Sequence, residues 1–143
     1  MTMTTLEAYA TTCSVDPGTE SQDETGVHIR ARVFTDRVEA RDARLDGTNK
    51  VTLDLDISAA DGSGVLAGTF ELTLTSGAGG WRGEVRGRFE GGMVVAEGIA
   101  RGTGSLAGAV LHIDYRQIKE HPAQPPVANP LAFFHITGAL LST

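Results

Sequence analysis

A single antiparallel up-and-down β-barrel of about eight strands is the fold this 143-residue sequence predicts, on three observations. Apolar and polar side chains alternate with a period of two over most of the chain, while helical periodicity is hard to find. Short Gly- and Asp-rich turn signals separate the alternating runs, and connections that short favour antiparallel neighbours over parallel crossovers. Glycines also recur inside the runs. Fourteen of the eighteen lie between Gly62 and Gly108, and Gly68, Gly83, Gly87 and Gly98 fall within predicted strands. An interior glycine weakens a strand unless a bend, bulge or close backbone approach requires it, which favours closure into a coiled barrel over an open sandwich.

The elements follow in order as eight or nine strands. Weaker alternation predicts strands over 6–15, 27–34 and 38–45, with the acidic stretch 19–26, containing Glu20, Asp23 and Glu24, as an exposed loop. The clearest strand is 50–58, where Val51, Leu53, Leu55 and Ile57 share one face and Thr52, Asp54, Asp56 and Ser58 the other. Residues 64–75 repeat the pattern with Leu66, Phe70, Leu72 and Leu74 on the dry side. In 81–90, Trp81, Val85 and Phe89 oppose an alternation of Arg and Glu. Strands over 93–101, 107–117 and 131–141 complete the set. Asp16-Pro17-Gly18, Asp46-Gly47, Asp61-Gly62-Ser63-Gly64, Gly91-Gly92 and Gly102-Thr103-Gly104 mark turns. The segment 120–130 holds four prolines, cannot join a central strand, and reads as a stiff loop over a barrel mouth, either a lid or a plain connection. The whole chain, 1–143, is expected to be one domain.

Composition narrows the function. Eighteen Asp and Glu against twelve Lys and Arg give a net charge of −6, which argues against sequence-independent nucleic-acid binding. No apolar run reaches the length of a membrane span, and the N-terminus lacks the features of a secretion signal. The lone cysteine, Cys13, permits no internal disulfide and reads as a small buried hydrophobe. A cytoplasmic location is the expectation. His28, His112, His121 and His135 show no metal-ligand spacing, so neither a metal nor a cofactor is expected. Gly102-x-Gly104 is flanked by strand patterns instead of opening a helix, which removes a nucleotide-binding reading.

The glycine-patterned part of the chain has a further property. Taken in order, ARDARLDG at 40–47, DGSGVLAG at 61–68, GWRG at 80–83, GIARGTGSLAG at 98–108 and ITG at 136–138 resemble bacterial members of the allene oxide cyclase-like barrel family, over roughly residues 28–141. The resemblance implies an eight-stranded up-and-down barrel of calycin type with a ligand cavity. Related barrels include plant allene oxide cyclases and bacterial cyclases that close rings in polyketide products. The matching residues are glycines and turn formers, so the resemblance brings no catalytic set with it.

Candidate chemistry must therefore come from the residues themselves. Tyr115 shares a face with Leu111 and Ile113, and a phenol in an apolar cavity can orient or polarise a carbonyl. Tyr9, alternating with Cys13 and Val15, has the same potential. Glu97 shares its face with Met93, Val95 and Ile99. If that face lines the lumen, burial raises its pKa and makes it an acid–base candidate; if Val94, Ala96, Gly98 and Ala100 line the lumen, Glu97 faces water. Phe70, Leu72, Trp81, Val85, Phe89, Leu111, Ile113 and Phe134 are the expected apolar walls of a substrate site.

These readings predict a cofactor-free cyclase or isomerase that binds an apolar, polyketide- or fatty-acid-derived substrate in the lumen and promotes ring closure by confinement. The alternatives are a non-catalytic binding protein for an apolar small molecule, and a filled barrel acting through its outer surface, with a homodimer left open.

Overall fold

A computed structural model describes residues 1–142 of the chain. It contains nine strands and, among the described residues, no helix: β1 (Thr2–Asp16), β2 (Thr19–Asp23), β3 (Gly26–Ala40), β4 (Gly47–Ser58), β5 (Gly64–Leu74), β6 (Gly79–Glu90), β7 (Met93–Gly104), β8 (Val110–Ile118) and β9 (Ala132–Ser142). Each strand from β3 to β9 pairs antiparallel with its successor. β9 then pairs with β1, and β1 with the C-terminal half of β3, which closes an eight-stranded barrel. β2 is the extra strand, paired only with the start of β3.

Two boundaries differ from the sequence expectation. The acidic stretch 19–26 is not a loop: five of its residues form β2, all of them exposed, because hairpin pairing to β3 demands no apolar face. Residues 27–34 and 38–40 belong to one strand, β3, which runs unbroken to Ala40, and the rest of the expected 38–45 strand is a turn at 41–46. A polar residue, Asp36, interrupts the apolar series there without interrupting the strand.

The barrel has a packed end and an open end. At the packed end Leu6, Val38, Leu45, Leu72, Trp81 and Leu140 are each no more than 4% exposed. The indole N–H of Trp81 donates to the carbonyl of Arg44 at 2.7 Å, fastening the 41–46 turn across this end. Tight coiling explains the strand glycines: a Cβ on Gly83 would lie 2.7 Å from the Cα of Ala100 on the next strand.

Two β-bulges set which side chains face inward. Pairing of β1 with β3 slips between Thr12 and Ser14, and pairing of β3 with β4 slips between Ile29 and Arg32. Ala31, within the second bulge, has φ of 55° and donates its N–H to Asp54 at 3.0 Å. Ile29 is buried before this bulge, whereas Arg32, Phe34, Asp36 and Val38 face inward after it, so the extra residue inverts the phase of β3.

The outer wall is charged. Arg86 pairs with Glu97 and Arg82 with Glu71, the reverse of the outward apolar band of a membrane barrel. Among the described residues no helix is long and apolar enough to cross a membrane. The 119–131 connection begins against this outer wall, with His121 bonded to Glu39 at 2.9 Å and packed near Tyr9 and Phe133, and ends at the open mouth with Leu131.

The β2–β3 hairpin is pinned to the barrel by His28, whose Nδ1 lies 2.7 Å from Asp56 and Nε2 3.0 Å from Asp23. Hydrogen bonds donated to Asp56 first and then to Asp23 raise the histidine's pKa above its ordinary 6.5. Asp56 is lowered, mainly by His28 and then Arg30. A raised histidine contributes its stabilisation fully below pH 6.5 and loses it as the pH rises through the folded value; the lowered Asp56 loses its share as pH falls below 3.8. Amide exchange in 19–23, corrected for intrinsic rates, should therefore be slowest at mildly acidic pH and quicken on the alkaline side. A His28→Gln variant that keeps the wild-type pH profile would show that the imidazole does not hold the hairpin.

Candidate active site

Above the packed end the lumen opens into a cavity of about 300 Å³, room for roughly ten waters at their liquid volume. Its wall is apolar: Phe34, Val51, Leu53, Leu55, Leu66, Phe70, Val85, Phe89, Val94, Ile113 and Phe134 supply most of it. The space exists because large side chains are diluted by small ones on the same inward faces. Ala96 and Gly98 stand where β7 would otherwise fill the lumen, and a Cβ on Gly98 would come within 3.0 Å of the Phe70 ring.

A row of polar groups crosses the floor. Thr12, Asp36 and Asn49 sit on three adjacent strands, with Asp36 the register partner of Thr12 on one side and of Asn49 on the other. Tyr115 reaches in from β8, its ring stacked on Phe134 with centroids 4.4 Å apart, and its hydroxyl donates to Asp36 Oδ2 at 2.6 Å. Asp36 is 1% exposed and Asn49 5%. Asp36 Oδ1 and Asn49 Oδ1 are both buried without a protein hydrogen-bond partner. Thr11 Oγ1, outside the cavity, is likewise without a partner; leaving such an oxygen unpaired costs about 1–3 kcal/mol, and at Asp36 and Asn49 that cost falls on the cavity floor.

Burial drives the electrostatics. Desolvation raises the pKa of Asp36, only partly opposed by the hydrogen bond from Tyr115 and then by the nearby Thr12 hydroxyl. Desolvation and then the neighbouring Asp36 push the Tyr115 phenol well above its usual 10.0. The pair is thus a carboxyl whose burial favours its protonated form more than in water, accepting from a phenol that stays protonated, so that a proton can be exchanged at Asp36.

The expected site residues separate into three groups. Tyr115 lines the cavity, as do Phe70, Val85, Phe89, Ile113 and Phe134. Leu72, Trp81 and Leu111 are corrected to packing: they face inward but lie in the sealed end, at most 4% exposed, and form the base beneath the cavity. Tyr9 and Glu97 are corrected to the outer surface. Tyr9 packs on His135 with centroids 4.9 Å apart, and Glu97 pairs with Arg86 at 3.2 Å, because Ala8, Ala10, Ala96 and Ala100 take the inward positions of their strands.

No family model, curated protein or solved structure matches the chain. The site therefore rests on its own geometry. Sequence reasoning missed Asp36, Asn49 and Thr12, although one signal was present: Asn49 extends the dry series of Val51, Leu53 and Leu55 by one step, which places an amide on the buried face.

Proposed function

We propose that this barrel is a cofactor-free cyclase or isomerase that folds an apolar, polyketide- or fatty-acid-derived substrate inside its lumen. The observation that carries this reading is the Asp36–Tyr115 pair, a carboxyl and a phenol hydrogen-bonded at 2.6 Å on the floor of a mostly apolar cavity. The walls hold a flexible chain in a near-attack conformation and exclude water, which removes part of the entropic barrier to ring closure. A substrate oxygen takes the Tyr115 O–H in place of Asp36 Oδ2, and Asp36, released from that bond, supplies or accepts the proton as charge develops there. The sequence resemblance to cyclase barrels supports the same reading.

A non-catalytic carrier of apolar molecules is the alternative, and the cavity suits it equally; the carboxyl–phenol pair is what favours catalysis. The test is incubation, without added cofactor, with a panel of open-chain enones and epoxides of polyketide or fatty-acid type, followed by chiral chromatography and mass spectrometry. The expected result is a ring-closed isomer of unchanged mass, formed with enantiomeric excess. Saturable binding with no such conversion across the panel would reassign the barrel as a carrier.

A further inference from the structure

We infer that the cavity takes its ligand end-on as a medium-length organic anion, its charged head on Arg32 at the mouth and a hydroxyl or enol at its inserted end between Asp36 and Asn49. The inference deepens the functional reading above and rests on the cavity being a ligand site.

The mouth carries the first half of the argument. Arg32 lines the opening beside Val15 and Leu131, two apolar side chains that are 38% and 59% exposed. Its Nε donates to the carbonyl of Pro17 at 3.1 Å, which fixes the guanidinium in place. Arg30, Arg37, Arg44, Arg82, Arg86 and Arg88 each sit on a carboxylate. Arg32, like Arg41, Arg101 and Arg116, makes no ion pair among the described residues, and of these four it alone lines the cavity, in a chain with six acidic charges in excess. A held, unpaired guanidinium at an apolar opening presents its remaining N–H donors to an incoming anion in the fork geometry that carboxylates and enolates accept.

The floor carries the second half. Asp36 and Asn49 face each other across β3 and β4, and each keeps one buried, unpartnered oxygen. Both oxygens are covered as the side chains stand, so the Asn49 amide turns to admit a ligand hydroxyl, which then accepts from a protonated Asp36 carboxyl and donates to Asn49 Oδ1, satisfying both at once. An inserted methyl end would leave both unpaired, so the floor rejects a plain hydrocarbon terminus. Arg32 and Asp36 are four residues apart on one strand, about 13 Å at roughly 3.3 Å per residue, which sets the spacing of the two polar ends.

The experiment is displacement of Nile red, a neutral apolar dye, by ω-hydroxydecanoic acid, decanoic acid and methyl ω-hydroxydecanoate. The hydroxy acid should displace the dye at about tenfold lower concentration than either analogue, in keeping with a hydrogen bond to a charged group or a buried pair left unmade. Arg32→Gln should erase the advantage over the ester, Arg32→Lys should keep part of it, and Asn49→Leu should erase the advantage over decanoate. Added salt should shrink the first difference and leave the second. Equal displacement by acid and ester, or an acid preference unchanged in Arg32→Gln, overturns the head-group assignment; equal displacement by hydroxydecanoate and decanoate overturns the floor assignment. Those outcomes leave the lumen's ligand-binding role standing, whereas failure of Nile red to bind saturably removes that role and this inference together.

Discussion

Asp36→Asn should lower turnover of a cyclised substrate by about 10²- to 10⁴-fold, the usual contribution of a positioned acid–base group, while dye affinity stays within about twofold. The substitution keeps the shape of the floor, and the Tyr115 hydroxyl can still donate to the new amide oxygen, so loss of the proton is the main change. A pH signature accompanies it. Because burial places the folded pKa of Asp36 above its ordinary 3.8, the wild-type protein loses stability as the pH rises from that value through the folded one. Asparagine does not titrate. The stability of the variant relative to wild type should therefore grow with pH over this window, measured by urea unfolding at several pH values. Equal turnover in the variant would remove Asp36 from the chemistry, and a difference in stability independent of pH would show that the carboxyl is already ionised in the fold.

Trp81→Ala should cost about 3–5 kcal/mol, the range for deleting a fully buried aromatic side chain. Trp81 is 0% exposed, plugs the packed end against Leu72, Leu111 and Leu140, and holds the 41–46 turn through Arg44. For a domain of this size the melting temperature should fall by roughly 6–20 °C. Trp81→Phe should recover most of the packing and expose the value of the Arg44 hydrogen bond alone, about 1 kcal/mol. A melting temperature within a degree or two of wild type for the alanine variant would mean that the sealed end is not the stabilising core of the barrel. The contrast with Asp36 is physical: one end of the lumen is packed for stability and the other keeps unpaired polar atoms at a cost.

That division was only partly legible in the sequence. The all-β barrel, the inward series of β4 to β6 and β8, and Tyr115 as a lumenal phenol follow from clean alternation, because a strand has one choice of phase once its apolar series is continuous. On β7 the side chains that could face inward are small on one parity and mixed on the other, so alternation left the phase of Glu97 open. Cross-strand packing decided it. Opposite Gly83 and Gly87 only Ala100 and Ala96 fit, and Glu97 turned out to Arg86.

What the sequence by itself determined, then, is that this chain alternates into a closed sheet with a dry interior too sparsely filled to be solid. What only the tertiary structure decided is the phase of β1 and β3, and with it the site. Read with strict alternation, Val27, Ile29, Ala31 and Val33 would share one face and Arg32 and Asp36 would lie opposite. The bulge between Ile29 and Arg32, with Ala31 in a left-handed conformation that no glycine or asparagine announces, inverts that order and turns Arg32 and Asp36 into the lumen. A bulge is set by how a strand registers with both neighbours at once, in this case β1 and β4, and that information is not local to any stretch of sequence.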